Sequence, residues 1–178
     1  LEWESIEGVA TSLVNLELTS CEGLDDARLG DLLQNCKKLR ALRVSDLNTT
    51  GLFLKSCSRK LKELSMINSV SEDICLNELK EMTELEKLLL KGVGLTSETV
   101  NTLSSYCTSL RELDICSTSL LRDLKEGVFL RCLGSLEVLR IQLNLKLMEL
   151  SAAAFSSGRM KRLRSITFVS FLNIGCIR

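Results

Sequence analysis

The sequence predicts an α/β solenoid, an arc of about seven stacked coils with parallel strands on its concave face and helices on its convex face. Three observations carry that expectation. Leucine fills 38 of 178 positions while aromatics make up only 4%, so the core is built from one repeated aliphatic unit. An aliphatic triplet, spaced Leu-x-x-(aliphatic)-x-(aliphatic), recurs seven times with first members Leu13, Leu39, Leu61, Leu85, Leu110, Leu136 and Leu163. The intervals are 26, 22, 24, 25, 26 and 27 residues, and all 21 triplet positions are apolar. At 45% apolar content, chance gives that with odds of roughly 10⁻⁷.

The elements follow in chain order. Within each triplet the period is two, so alternate side chains enter a core and the intervening ones face outward. The seven strands centre on Leu16/Leu18, Leu42/Val44, Leu64/Met66, Leu88/Leu90, Leu113/Ile115, Leu139/Ile141 and Ile166/Phe168. Each is too short to stand alone and must pair with its neighbours in a parallel sheet. In the first return segment, Asp25-Asp26 precede the helical stripe Leu29, Leu32, Leu33 and Cys36, and acids there suit the positive end of a helix dipole. The second return, Thr49 to Cys57, is short and has room for a turn or two of helix. Cys75, Leu79 and Met82 follow Ser71-Glu72-Asp73, and Val100, Leu103 and Cys107 follow Ser97-Glu98, which predicts two more helices. Phe168, Val169 and Phe171 in the last strand are less polar than a capping coil should be.

The copies Cys36-Lys37-Lys38-Leu39-Arg40-Ala41-Leu42-Arg43-Val44 and Cys107-Thr108-Ser109-Leu110-Arg111-Glu112-Leu113-Asp114-Ile115 resemble the leucine-rich repeat family, in its cysteine-containing subclass. The resemblance covers residues 8–178 and implies the horseshoe arc. That subclass is common in F-box proteins, the substrate receptors of ubiquitin ligases, so the resemblance also implies such a role. Eight residues after each first leucine the family favours Asn or Cys. Here Leu47, Val93 and Phe171 stand at three of those places and cannot donate hydrogen bonds, so the buried ladder is expected to be broken or water-filled there.

Composition excludes several function classes. Histidine is absent, which removes Ser-His and Cys-His nucleophile pairs and histidine metal sites. Formal net charge is zero, which argues against binding nucleic acid by phosphate neutralisation. The eight cysteines contain no CxxC pair, and Cys36, Cys57, Cys107 and Cys132 lie just before aliphatic runs, so reduced thiols in a reducing, cytoplasmic or nuclear compartment are expected in preference to four disulfides. No apolar run approaches the ~20 residues of a membrane span. Residues 1–178 read as one domain, and both ends look cut from a longer chain.

Chemistry has few places to sit. Asp25-Asp26 and Glu72-Asp73 are candidate acid–base or cation pairs, weighed against a role as acidic helix starts. Gly92-Val93-Gly94 is too short for a phosphate loop. Cys116 points outward beside Asp114 and Ser117, where a carboxylate disfavours the thiolate. No catalytic activity, cofactor, metal or small-molecule substrate is expected. Residues 1–89 carry 16 acids and 11 bases and residues 90–178 carry 7 and 12, a swing from −5 to +5. Arg159, Lys161, Arg162 and Arg164 are the densest basic cluster, either a site for an acidic partner or a solvated loop.

The concave face is the better candidate. Its middle column reads Glu17, Arg43, Ser65, Leu89, Asp114, Arg140 and Thr167. Ile67 and Leu89 form an apolar spot rimmed by Glu63, Lys87 and Lys91, the layout of a small hot spot, unless a loop or second subunit covers it. The expected function is a non-catalytic protein-recognition scaffold with a protein partner on this face, anchored at Ile67 and Leu89, with Arg43, Asp114 and Arg140 setting polarity. The alternative is a structural or sensor segment of a longer innate-sensor or cytoskeletal solenoid with no dedicated ligand.

Overall fold

A computed structural model of the chain describes residues 3–68, 77–93, 97–115, 133–142, 158 and 160–169. One parallel sheet runs in chain order through seven strands: β1 (Asn15–Thr19), β2 (Ala41–Ser45), β3 (Glu63–Ile67), β4 (Lys87–Lys91), β5 (Glu112–Ile115), β6 (Val138–Gln142) and β7 (Ser165–Val169). Register is position for position. Leu16 pairs with Leu42, Leu42 with Leu64, and so on through Leu88, Leu113 and Leu139 to Ile166. Every triplet thus occupies an equivalent place in its coil, as the spacing predicts.

Alternation sets the two faces. β2, β3 and β4 place their second and fourth residues in the core, so Leu42, Val44, Leu64, Met66, Leu88 and Leu90 are all within 1% of full burial. The first leucines of the inner coils are as deep: Leu39, Leu61, Leu85, Leu110 and Leu136 are buried. At the two ends the packing thins. Leu13, Leu16, Leu163 and Ile166 are only half-buried, and Phe168, placed by sequence at a core position, is exposed.

Among the described residues the convex layer holds both α-helices and 3-10 segments. Helix α1 (Trp3–Ala10) precedes the first strand and packs against α2 (Asp26–Asn35), burying Ala10. The second return holds a five-residue 3-10 segment, Leu52–Ser56, in keeping with its short length. The third also holds a 3-10 segment, Asn77–Glu81, where an α-helix was expected; Leu79 and Met82 are buried as read, while Ser71, Glu72, Asp73 and Cys75 lie outside the described residues. Helix α3 (Ser97–Tyr106) buries Val100 and Leu103 as predicted. A third 3-10 segment, Leu133–Ser135, leads into β6.

Leu47 and Val93 stand where the buried side-chain ladder was expected to be broken or water-filled. Both side chains are buried in the core, and the strand ends are tied together one residue earlier. Ser20, Asp46 and Asn68 all adopt left-handed backbone, with φ of 50, 53 and 50°. Each donates its N–H to the next coil, Ser20 to Ser45, Asp46 to Ile67 and Asn68 to Lys91, at 2.8–3.0 Å. Gly92 continues the column at φ 66°, and a Cβ there would stand 2.7 Å from Asn68 Oδ1. Short polar residues and glycine tolerate this conformation, which explains the residue types. Phe171 lies outside the described residues.

Four described cysteines, Cys21, Cys36, Cys57 and Cys107, are free thiols. Cys36 donates to the Leu32 carbonyl at 3.3 Å and Cys107 reaches the Leu79 carbonyl of the preceding coil at 3.5 Å. Burial raises the thiols of Cys36, half-buried Cys57 and Cys107, and Cys57 and Cys107 are pushed up to about 12, Cys57 with a further push from the neighbouring Cys36. Cys116, Cys132 and Cys176 lie outside the described residues. Among the described residues no helix is long and apolar enough to cross a membrane.

Candidate functional site

The outward positions of β2 to β6 make the face on which the sequence placed a partner. Because register is exact in residue number, side chains two, four and six places after each first leucine stand in three columns across the sheet. Neighbouring members of a column are about 5 Å apart at the backbone, close enough for opposite charges to meet.

They do meet. Arg43 lies between Glu17 at 3.6 Å and Glu63 at 3.3 Å. Lys87 pairs with Glu112 at 3.0 Å. Asp114 receives Lys91 at 3.6 Å and Arg140 at 3.8 Å, one from each adjacent strand. All four cations proposed for partner binding are therefore engaged within the sheet. Asp114 differs most from its expected role: only 7% of it is exposed, and Lys91 and Arg140 both pair with it. It orients those two cations and is poorly placed to touch a partner itself. Such pairs are each worth little in water, so their effect is to order long side chains more than to stabilise the fold.

Between the pairs lie the apolar residues. Ile67 and Leu89 are half-buried, less prominent than strand alternation implies. Val138 joins them, and a shallow depression is lined by Leu89, Val138 and the stems of Lys87 and Arg140. A wider hollow of about 320 Å³ surrounds Arg43, bounded by Asn15, Glu17, Ala41 and Glu63. The structure thus brings Lys87, Leu89, Lys91, Asp114 and Arg140 together in one patch and sets Arg43 apart in another, with Ile67 on β3 between them.

A further charged column runs just outside the sheet. The residue after each first leucine accepts two backbone N–H groups from the next coil, as the Arg40 carbonyl does from Lys62 and Glu63 at 2.7 and 2.9 Å. Side chains on this column pair as Lys62–Glu86 at 2.7 Å and Arg111–Glu137 at 3.4 Å. The hydrogen bond and charge of Lys62, aided by Arg111, hold the Glu86 carboxyl below its usual range. Alternating sign at this position was present in the sequence and was missed.

The acidic pair of the first coil has a structural task. Asp25 caps α2 by accepting from the Arg28 N–H at 2.9 Å. Asp26 accepts from Thr50 N at 2.7 Å, Thr50 Oγ1 at 3.1 Å and Phe53 N at 3.2 Å, fastening the next return segment. Both carboxylates are thereby committed to backbone groups. No cluster of three or more metal-ligating side chains occurs among the described residues.

No family model matches the chain, and no curated protein matches it. Among solved structures it is similar to the tropomodulin C-terminal domain of Caenorhabditis elegans, at 17% identity over 91% of this chain and 93% of that one, with a TM-score of 0.55. The fold is a leucine-rich-repeat solenoid. The leucine-rich-repeat ectodomain of the receptor kinase SOBIR1 from Arabidopsis thaliana is also similar, at 17% identity over 77% of this chain and 59% of that one, with a TM-score of 0.35. In leucine-rich-repeat architecture each coil adds one strand to an open face, and that is the face carrying the paired charges described above.

Proposed function

We propose that the chain is a protein-recognition scaffold without catalytic activity, which docks its partner on the strand face around Ile67, Leu89 and Val138. The observation that carries this reading is a pre-ordered surface. Arg43, Lys87, Lys91 and Arg140 are already held by carboxylates of the same sheet, so these side chains lose little further freedom when a partner binds. The half-buried apolar residues among them supply the anchor and the ion pairs supply a polar rim. Nothing in this arrangement calls for a cofactor.

The resemblance of the Cys36 and Cys107 copies to the cysteine-containing subclass supports a narrower role, the substrate-binding part of an F-box-type receptor in a reducing compartment. The test is affinity capture on the full-length protein, comparing wild type with a Leu89→Asp/Ile67→Asp variant whose folding is checked by circular dichroism. Partners lost only in the variant, together with a ubiquitin-ligase core subunit retained in both, are the expected result. Retained partners without that subunit remove the receptor role in favour of a segment of a longer structural or sensor solenoid. A partner set indifferent to both substitutions overturns the inner face as the docking surface.

A further inference from the structure

A net charge of zero conceals a segregation that coil geometry brings out. Each strand begins after a tight turn in which the first leucine donates its N–H to the carbonyl three residues before it. Leu39 bonds Cys36 in this way, Leu61 bonds Ser58 and Leu163 bonds Met160. The two residues at the tip of each turn, and the one after the leucine, therefore lie along one edge of the arc.

In the second coil those residues are Lys37, Lys38 and Arg40, and in the third they are Arg59, Lys60 and Lys62. All are exposed apart from Arg40, which is half-buried. The two coils are adjacent through β2 and β3, so six bases share an edge only one strand spacing wide, about 5 Å. Acids answer two of them: Arg59 meets Glu81 at 3.5 Å and Lys62 meets Glu86 at 2.7 Å. Arg40 donates to the Lys60 carbonyl at 2.9 Å, which fixes its guanidinium at the edge. Among the described residues Lys37, Lys38 and Lys60 have no ion-pair partner. The opposite, strand-end edge is acidic at the first and second coils, where Glu22, Asp25 and Asp46 line an open hollow of about 520 Å³.

The helix dipole accounts for part of this. Lys37 and Lys38 follow the C-terminal end of α2, where cations are favoured. It does not account for Arg59, Lys60 and Lys62, which follow a five-residue 3-10 segment with little dipole to complement. The strip is also short, ending at Glu84 and Glu86 in the fourth coil. Two coils are too few for a nucleic-acid track. Phe53, the one aromatic in residues 37–62, is buried and offers no base a stacking surface. An extended peptide, whose alternate side chains stand about 7 Å apart, fits the strip.

We propose that this strand-start edge of the second and third coils binds a protein segment with clustered anionic side chains, either phosphoserines or contiguous carboxylates. The site is separate from the inner face and does not depend on the function proposed for it. The test is fluorescence anisotropy on the intact chain with a short labelled peptide in three forms: two phosphoserines two residues apart, aspartates at those places, and unmodified serines. Binding of an anionic form, weakened about tenfold or more by Lys38→Glu/Lys60→Glu and unchanged by Lys161→Glu/Arg162→Glu or Leu89→Asp, is the expected result. Which anionic form binds tells phosphate from carboxylate. If the charge reversal disturbs folding, Lys38→Gln/Lys60→Gln gives the same readout. Equal binding of the serine form, indifference to both double variants, or tighter binding of a single-stranded RNA of matched charge overturns the proposal.

Discussion

A single carboxylate can set the position of an entire coil. Asp26 sits at the start of α2 yet spends its oxygens on Thr50 and Phe53 of the following return segment. Hydrogen bonds to a charged group contribute about 1.5–3 kcal/mol each way, so Asp26→Ala should lower unfolding free energy by about 2 kcal/mol, with Asp26→Asn milder. Urea denaturation checks both. The thiols give a second residue-level expectation. Cys57 and Cys107 remain protonated up to about 12 in the folded chain, whereas unfolded thiols ionise from about 9.0. Above that value the unfolded chain binds fewer protons, so this contribution is full below pH 9 and is lost as pH rises towards 12. Urea midpoints at pH 7 and pH 10 should differ less in Cys107→Ala than in the parent.

At the scale of the element, β4 separates two adjacent leucines by function. Leu88 is fully buried and Leu89 faces out at intermediate exposure. Leu88→Ala should cost about 3 kcal/mol, as core truncations do, and Leu89→Ala less than about 1 kcal/mol. Thermal or urea unfolding of the pair tests the register directly, and reversed values would move every column of the inner face. Strand positions and register were legible because period two and coil equivalence both act on the same residues. The type of return segment was not. The stripe Leu79, Met82 serves a 3-10 segment as readily as an α-helix, and nothing local separates the two. The ion pairs were half legible: Lys87 and Glu112 share a column, but Arg43 meets Glu63 and Lys91 meets Asp114 diagonally, which depends on side-chain reach. The left-handed column of Ser20, Asp46, Asn68 and Gly92 was visible as a run of small polar residues, one place before the position family resemblance made conspicuous.

Across the whole molecule, charge is organised by edge more than by half. The sequence shows a swing from acidic to basic along the chain, but stacking folds that order sideways. Six bases of the acidic first half gather at the strand-start edge, while Glu22, Asp25 and Asp46 lie at the other rim and Glu17 and Glu63 on the inner face. The column Lys62, Glu86, Arg111, Glu137 forms a seam of alternating sign, with Lys62 paired to Glu86 and Arg111 to Glu137 across neighbouring coils. Glu86, held below the usual carboxylate range mainly by Lys62, contributes to that seam above its unfolded pKa and loses the contribution as pH falls through its folded value.

Position-for-position pairing also makes the chain modular in a way that ordinary domains are not. Removing residues 61–84 would bring β4 against β2 with Leu88 opposite Leu42, Leu90 opposite Val44, Glu86 beside Arg40 and Gly92 after Asp46. Such an excision should leave a shorter protein that still unfolds cooperatively in urea, whereas deleting one residue inside a strand should not. Growth and loss by whole units, through duplication or splicing of a coil-length segment, is therefore open to this architecture.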